Sequence, residues 1–166
     1  ARVNKIPFLG ICLGMQMAVI EYARNVKKIR YANSTEISEK CKDPVIDLMT
    51  SQKEIINKGG TMRLGAWDCE IEKNTKSYKS YKKKLISERH RHRYEFNNSY
   101  SDRIFDDKFI VAGSNPDTKL VEIIENIDHP WFVGVQFHPE YKSSVYNPHP
   151  IFVNFVKASL KKYLNK

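Results

Sequence analysis

The sequence predicts an α/β fold built on an open, mostly parallel sheet with flanking helices. Three observations lead to this prediction. An apolar run over residues 6–11 is typical of a strand buried on both faces, and a helical repeat follows it at once. Several β-like stretches come next, and the last of them, 131–137, is nearly all apolar and is therefore expected in the sheet interior. A helix closes the chain after Pro148 and Pro150.

The individual elements follow from the periodicity of the apolar residues. A first helix is predicted over 13–26, because apolar residues recur at 15, 19, 22 and 26. Residues 31–63 contain several turn signals and are expected to be irregular. Four β-like stretches are predicted at 64–72, 85–90, 109–113 and 119–125. The terminal helix is expected to carry its apolar residues on one side: Phe152, Phe155, Val156, Leu160 and Tyr163.

The first predicted strand has too few neighbouring strands to form a complete sheet. That strand begins close to the first residue, and residues 1–4 are typical of the tail of a preceding helix. A strand buried on both faces needs strands beside it and helices over both sides. We therefore expect residues 1–166 to be the C-terminal portion of a single domain that lacks its N-terminal strands.

The composition indicates a soluble globular protein. Of 166 residues, 41% are apolar and 28% are charged, which excludes a disordered or fibrous chain. The formal net charge of +9 raises nucleic-acid binding as an alternative. The lysines are scattered, however, so a solvated basic surface is favoured. The apolar run over 6–20 is interrupted by Gln16 and is short for a membrane span, so no membrane partner is expected.

The three cysteines argue against a disulfide framework. Their number is odd, and the sequence contains no C-x-x-C pair that would suggest a zinc site. This usage indicates a reducing compartment, and we expect a cytoplasmic protein. Cys41 lies in a charged loop and Cys69 in a predicted strand, and both are expected to be structural or incidental.

The third cysteine stands at a strand-to-helix turn. The sequence Gly10-Ile11-Cys12-Leu13-Gly14 has the glycine–x–nucleophile–x–glycine form of a nucleophile elbow. Such a turn crowds the chain, so glycine is expected on both sides. The helix N-terminus would favour the thiolate, and the N–H of Leu13 would stabilise an oxyanion on a carbonyl that Cys12 attacks. A buried cysteine beside two packing glycines is the alternative.

A second motif supplies a base for this nucleophile. His138 follows the apolar strand, at the sheet edge where active sites of open α/β folds lie. Glu140 comes two residues later, and Pro139 is expected to hold the backbone extended, which places both side chains on one side. The two residues alone could be a polar pair at a strand end. Together with the elbow they predict a Cys–His–Glu triad.

Through these two motifs, residues 10–16 and 134–140, the chain resembles the class I, triad-type glutamine amidotransferases. Three further stretches, 32–36, 59–65 and 88–95, are similar within that class to the glutaminase domains of CTP synthases. The likeness extends from residue 1 to about 158. It implies the amidotransferase type of α/β fold and the hydrolysis of glutamine to release ammonia.

The resemblance also implies a role for each site residue. Cys12 would attack the side-chain amide of L-glutamine, His138 would transfer protons, and Glu140 would orient the imidazole. The further residues implied to contact glutamine are Leu13, Gln16, Glu36, Arg93 and Tyr94. Among these, Arg93 with the backbone of Tyr94 would meet the amino-acid head group. Gln16 is supported independently, since it lies one helical turn beyond the nucleophile.

The cofactors and partners that the resemblance implies belong to a further domain, which this chain is expected to lack. In the family, ammonia passes to a synthetase domain of the same polypeptide, which aminates UTP to CTP with ATP and magnesium. A homo-oligomer formed through that domain is expected, and no cofactor is expected in this segment. His90 and His92 could suggest a metal pair, but no third ligand is nearby in sequence, so no metal site is predicted. Arg89 and Arg91 are expected on an exposed strand.

One departure from the family lowers the activity expected of this segment. The family takes its second oxyanion-hole donor from a glycine-rich loop upstream of the elbow, and this chain starts after that loop. The loss of one such donor costs about 10²–10³-fold in turnover, so residues 1–166 alone are expected to be almost inactive. Two alternatives stay open: the glutaminase domain of another triad amidotransferase, and a non-catalytic assembly module.

Overall fold

The computed structural model describes residues 1–48 and 62–165, and in these two ranges the chain forms nine strands and four α-helices. The strands are β1 (Phe8–Ile11), β2 (Ala32–Ser34), β3 (Asp43–Leu48), β4 (Arg63–Ile71), β5 (Leu85–His92), β6 (Tyr94–Phe96), β7 (Phe109–Ser114), β8 (Val121–Asn126) and β9 (Phe132–Val135). The helices are α1 (Leu13–Asn25), α2 (Lys76–Tyr81), α3 (Ser101–Ile104) and α4 (Pro150–Leu164). Short 3₁₀ helices cover Asn98–Tyr100 and Pro139–Lys142.

The strands form an open six-stranded sheet, ordered β1-β9-β8-β7-β4-β5, and a small sheet, ordered β2-β3-β6. The α/β class and the flanking helices are confirmed. The expectation of mostly parallel pairing is wrong for the described strands, because in the large sheet β1 and β9 pair in parallel and the other four pairings are antiparallel. The reason is the length of the connections. Only residues 115–120 separate β7 from β8, whereas a parallel crossover needs a dozen or more residues.

Both faces of the large sheet are covered, as its apolar central strands require. In β8, Ile123 and Ile124 are consecutive and fully buried, and they belong to different core clusters because successive side chains point to opposite faces. The same holds for Phe132 and Val133 in β9. The first cluster is capped by α1, and the second contains Ile151 of α4. As predicted, β9 lies inside the sheet, between β1 and β8.

Helix α1 forms where its apolar repeat predicts it. Met15, Val19 and Tyr22 are buried, and they pack with the core side chains of the first cluster. The helix begins directly after β1 and lies against β1 and β9. It therefore fixes the position of the turn that joins β1 to α1.

Two parts of the fold differ from the expectations, and part of one motif lies outside the described residues. Strands β2 and β3 lie in the segment predicted to be irregular; they are short, and they depend on pairing with each other and with β6. Along α4, Phe155 packs on the second cluster, but Val156, Leu160 and Tyr163 are exposed. The helix contacts α2, which is too short to cover the whole apolar stripe. Of the motif at 59–65, residues 59–61 lie outside the described residues.

The two glycines of the elbow have different surroundings. A Cβ atom at Gly10 would lie 2.7 Å from the carbonyl carbon of Gly14 and 2.8 Å from the backbone nitrogen of Met15. These are backbone atoms of α1 that cannot move without shifting the helix, so glycine is required there. A Cβ atom at Gly14 would meet no atom of the described residues within 4 Å. The expected crowding is therefore confirmed before the cysteine and wrong after it, where α1 leaves open space for a side chain.

We predict opposite effects of alanine at these two glycines. Gly10→Ala should lower the free energy of unfolding by about 1–3 kcal/mol, because the methyl group overpacks the contact between β1 and α1. Gly14→Ala is the matched control and should leave stability unchanged or raise it by up to about 1 kcal/mol, since alanine is the better helix former. Urea unfolding of both variants measures the difference. Equal destabilisation would contradict the packing described for the elbow.

Candidate active site

The strand-to-helix turn holds Cys12 in a strained backbone conformation. Cys12 has φ 51° and ψ −106°, a region that residues other than glycine rarely adopt. The conformation is held from both sides: the N–H of Cys12 donates to the carbonyl oxygen of Val135 at 2.8 Å, and the N–H of Gln16 donates to the carbonyl oxygen of Cys12 at 3.2 Å. The elbow geometry predicted from the motif is present, and such strain is typical of functional positions.

The surroundings of the sulfur favour a protonated thiol. Burial is the largest influence and raises the pKa of Cys12, and the carboxylates of Glu36 and Glu140 raise it further. The backbone N–H of Leu13 and the side-chain amide of Gln136 act in the opposite direction and lower this pKa. The expected support from the helix N-terminus is thus present but is outweighed by burial. A nucleophilic thiolate at this site therefore depends on a base that takes the thiol proton.

His138 and Glu140 form the pair that could supply this base. The Nδ1 atom of His138 lies 2.6 Å from Oε1 of Glu140, so the carboxylate accepts from an Nδ1–H and the other ring nitrogen is left as the basic atom. That atom, Nε2, is buried and has no hydrogen-bond partner in the described part of the chain. The ring stacks on Tyr141, with centroids 5.3 Å apart, and the backbone N–H of His138 donates to the carbonyl oxygen of Arg89.

The backbone between the pair differs from the expectation. Pro139 does not keep the chain extended; it is the first residue of the 3₁₀ helix Pro139–Lys142, and Glu140 lies in the first turn of that helix. Proline fits this position because its fixed φ suits a helix start and its missing N–H is not needed there. The two side chains meet through this turn, and not through the alternation of an extended strand.

The in-register parallel pairing of β1 and β9 brings the nucleophile and the base to one edge of the sheet. Ile11 is the register partner of Val135, so Cys12 and Gln136 follow their strands side by side, with His138 two residues further on. The side-chain amide of Gln136 lies 3.7 Å from the Cys12 sulfur, and the carboxylate of Glu140 raises the pKa of that thiol, so the segments that follow the two strands are close to each other.

A cavity of about 290 Å³ lies beside the sulfur. This volume is near the lower end of the range for small-molecule sites. The residues that line it are Cys12, Leu13, Gln16, Glu36, Met62, Arg91, His92, Arg93 and Tyr94. All five residues predicted to contact glutamine therefore line one cavity. Arg93 and Glu36 are exposed there and bring charges of opposite sign, which suits a zwitterionic amino acid.

One atom in this wall has no partner. Gln16 is 2% exposed, and its Nε2 donates both to the carbonyl oxygen of Tyr94 at 2.8 Å and to Oε1 of Gln136 at 3.2 Å. Its Oε1 has no hydrogen-bond partner among the described residues. Since a buried carbonyl oxygen of an amide is costly to leave unpaired, it is the acceptor available to an N–H donor in the cavity.

A buried charge network backs the cavity and was not predicted from the sequence. Arg63 is its centre: Nη2 lies 2.6 Å from Oε1 of Glu122, and Nη1 lies 3.3 Å from Oε2 of Glu95. His90 and His92 are hydrogen-bonded to each other at 2.9 Å, and His92 lines the cavity. The network joins β4, β5, β6 and β8, and so holds the strands that carry the wall.

Each histidine of this network is hydrogen-bonded to the other, and a carboxylate oxygen lies 3.5 Å from Nε2 of His90 and 3.8 Å from Nδ1 of His92. In residues 1–48 and 62–165, no group of three or more His, Cys, Asp and Glu side chains is arranged to hold a metal ion. Arg89 and Arg91 are exposed between the buried residues of β5, as predicted. Cys69 is buried in the second core cluster and Cys41 is half-buried, away from the cavity lining. The described helices include none that is long and apolar enough to cross a membrane.

Burial raises the pKa values of the carboxyl groups in this network and lowers those of its histidines. It raises the pKa of Glu95 to about 8 and that of Glu122 to about 7, although Arg63 opposes both shifts. Burial and the charge of Arg63 lower the pKa of His90 to about 2 and that of His92 to about 3. With neutral imidazoles, two carboxylates around one guanidinium leave an excess negative charge, so a proton bound by the carboxyl pair is stabilising.

We predict that Glu122→Gln changes the pH dependence of stability. From about pH 5 to about pH 8 the folded wild-type chain binds more protons at these carboxyls than the unfolded chain does, so its unfolding free energy falls as the pH rises. In Glu122→Gln, the unfolding free energy should fall less steeply as the pH rises. Urea unfolding at several pH values in that interval measures it. Glu21→Gln is the control, because the pKa of Glu21 is lowered and its effect lies at more acidic pH. Parallel curves for wild type and Glu122→Gln would contradict the prediction.

Comparison with known proteins places the chain in a family. The profile of the family described as Glutamine amidotransferase class-I matches residues 1–158. A CTP synthase of Christiangramia forsetii is 62% identical over 159 residues, which are 96% of this chain and 29% of that protein. A CTP synthase of Caldanaerobacter subterraneus subsp. tengcongensis is 57% identical over 165 residues, which are 99% of this chain and 31% of that protein. The chain thus spans about 30% of the length of the curated relatives it matches.

Solved structures agree with the sequence comparison. The structure described as the glutaminase domain of Trypanosoma brucei CTPS with bound acivicin is similar at a TM-score of 0.90 and 39% identity, and the match covers 97% of this chain and 62% of that chain. A glutamine amidotransferase of Thermotoga maritima is similar at a TM-score of 0.50 and 15% identity, with 99% of this chain and 51% of that chain covered. The second likeness shows the fold alone.

Proposed function

This chain belongs to the glutamine amidotransferase class-I family, and from that premise we propose that, within the full-length protein, it hydrolyses the side-chain amide of L-glutamine with a Cys12–His138–Glu140 triad. The observation that carries the proposal is the cavity beside the Cys12 sulfur, because every predicted glutamine contact lies in its wall. The His138–Glu140 pair at the same sheet edge supplies the base that a buried thiol needs.

The first half of the proposed reaction forms a thioester. Nε2 of His138 takes the proton of the Cys12 thiol, and the sulfur attacks the carboxamide carbon of glutamine. The backbone N–H of Leu13 donates to the oxyanion that forms on this carbon. The imidazolium then gives its proton to the departing nitrogen, the C–N bond breaks, and ammonia leaves a γ-glutamyl thioester on Cys12.

The second half hydrolyses the thioester. With ammonia gone, the neutral imidazole of His138 takes a proton from a water molecule, which attacks the same carbonyl carbon. The C–S bond breaks, glutamate is released and the thiol is restored. Glu140 accepts from Nδ1–H throughout, which keeps the ring in one tautomer and stabilises its charged form in both halves.

Substrate selection follows from the charges of the cavity wall. The guanidinium of Arg93 can bind the α-carboxylate with two parallel hydrogen bonds, and the carboxylate of Glu36 can accept from the α-ammonium. The unpartnered Oε1 of Gln16 accepts a further N–H of the substrate. These groups recognise the head of an amino acid and leave its side-chain amide free to reach the sulfur.

We further propose that the ammonia is used to aminate UTP to CTP, as the relatives named CTP synthase indicate. ATP, UTP and magnesium would act in a synthetase domain of the same polypeptide, and a homo-oligomer would form through that domain. Neither a nucleic acid nor a membrane is needed for this function. A cytoplasmic location is proposed because all three cysteines are free thiols, as expected in a reducing compartment.

The first test removes the nucleophile. Cys12→Ala in the full-length protein should abolish ammonia release from glutamine and glutamine-dependent formation of CTP, because no other group can form the thioester. Cys41→Ala is the matched control and should retain activity, since Cys41 does not line the cavity. An assay of glutamate, ammonia and CTP reads both reactions. Ammonia release without CTP would favour another amidotransferase, and retained hydrolysis in Cys12→Ala would contradict the proposed nucleophile.

The second test addresses the base and its carboxylate. His138→Ala should lower kcat for glutamine hydrolysis by about 10²–10⁴-fold, which is the usual contribution of a general acid–base group. Glu140→Gln should lower it less, because an amide oxygen still accepts from Nδ1–H but brings no negative charge. Steady-state kinetics with glutamine measure both variants. An unchanged kcat in His138→Ala would show that another group takes the thiol proton.

A further inference from the structure

Gln136 is a buried polar residue next to the nucleophile to which the reaction described above gives no role. It is the first residue after β9 and is 0% exposed. Its backbone N–H donates to the carbonyl oxygen of Glu122 at 2.8 Å, which fixes it against β8. Its side chain makes two contacts: Oε1 accepts from Nε2 of Gln16 at 3.2 Å, and Nε2 donates to the sulfur of Cys12 at 3.7 Å.

The orientation of this amide is set by a main-chain carbonyl group. The carbonyl oxygen of Tyr94 can only accept, so the side chain of Gln16 must present its NH₂ group to it. The same NH₂ group then faces Gln136, which must present its oxygen there. The NH₂ group of Gln136 is left on the side of the sulfur. Turning either amide over would place two donors or two acceptors face to face in a buried site.

We propose that Gln136 is a positioning residue for the Cys12 thiolate, with its amide orientation set by Gln16. This inference rests on the proposed glutamine hydrolysis and adds a residue to its machinery. An N–H donor stabilises the sulfur when it becomes an anion more than when it is a neutral thiol, because charge-assisted hydrogen bonds are the stronger ones. Gln136 therefore lowers the cost of forming the nucleophile.

The need for such a donor follows from the other groups around the sulfur. The carboxylates of Glu36 and Glu140 both disfavour a negative charge on Cys12, and burial disfavours it further. Among the described residues, the donor groups that favour the anion are the backbone N–H of Leu13 and the side-chain amide of Gln136. Since the N–H of Leu13 is also the proposed oxyanion donor, Gln136 is the donor that can stay with the sulfur.

The position of Gln136 predicts which kinetic constant it affects. The described residues that line the cavity include Gln16 but not Gln136, so substrate contacts Gln16 directly and Gln136 only through the sulfur. Loss of the Gln136 amide should therefore lower kcat and leave KM almost unchanged. Loss of the Gln16 amide removes an acceptor from the cavity and should raise KM.

Two variants of the full-length protein test the inference. Gln136→Met removes both hydrogen bonds without adding charge, and Gln136→Glu keeps the size and the acceptor for Gln16 but replaces the donor to the sulfur with a negatively charged carboxylate oxygen. The rate at which iodoacetamide alkylates Cys12 is measured against pH, by mass spectrometry of the peptide that carries residue 12, because Cys41 is accessible too. Thermal unfolding checks that each variant is folded. If Gln136→Met does not fold, Gln136→Glu alone tests the inference.

We expect Gln136→Met to raise the thiol pKa by about one unit and to slow alkylation at pH 7 by about tenfold, and Gln136→Glu to raise this pKa further, because its carboxylate repels the thiolate. We also expect kcat for glutamine to fall by about tenfold, with KM within about twofold of the wild-type value. A folded variant with an unchanged alkylation profile would overturn the role of Gln136. Failure of the wild-type protein to hydrolyse glutamine would instead overturn the proposed function, while the alkylation profiles would still report on the Gln136–sulfur contact.

Discussion

The in-register parallel pairing of β1 with β9 is the constraint on which the site depends. It places Ile11 beside Val135, so that the elbow cysteine and the segment that carries the base leave the sheet at the same edge. A slip of one residue would turn the alternate side chains of β1 to the wrong face and move the thiol away from the base. Close packing enforces the register, because a Cβ atom at Gly134 would lie 2.8 Å from Ile124 and 3.0 Å from Met15 of α1.

The reactivity of the sulfur is a balance among groups brought by different elements. Burial and two carboxylates keep the thiol protonated, and one backbone N–H and one buried amide favour the anion. Behind the cavity, Arg63 ties Glu95 to Glu122, so the wall is held by buried, paired charges. Removing one partner from such a network is costly, so the network supports β5 and β6, the two strands on either side of Arg93.

The parts of the site that a local motif encodes could be predicted from the sequence. The strained elbow at Cys12 and the His138–Glu140 hydrogen bond are present as the motifs predict, and the five residues predicted to contact glutamine line one cavity. The helix after the elbow and the interior position of β9 follow from apolar patterns alone. Strand direction could not be obtained in this way, since a buried apolar strand looks alike in parallel and antiparallel pairings, and the connections decide between them. The turn at Pro139 was missed because proline suits both an extended chain and the first turn of a helix.

The buried network was missed for a different reason. Arg63, Glu95 and Glu122 come from three strands that are far apart in the sequence, and charged residues are usually exposed. Only the pairing of the strands shows that they face one another. A signal exists in β5, where Glu88, His90 and His92 alternate with arginines and are all buried. In a half-buried strand every second side chain faces inward, so this alternation predicts that the histidines are buried. It does not identify the residues with which they interact.

The proposed reaction requires that the Cys12 sulfur becomes covalently bonded to the substrate. Mass spectrometry of the full-length protein, mixed with glutamine and quenched rapidly in acid, tests this most directly. We expect one added γ-glutamyl group, confined to the peptide that carries Cys12 and lost as the thioester is hydrolysed. Ammonia release with no such adduct, or with the adduct on Cys41 or Cys69, would contradict it.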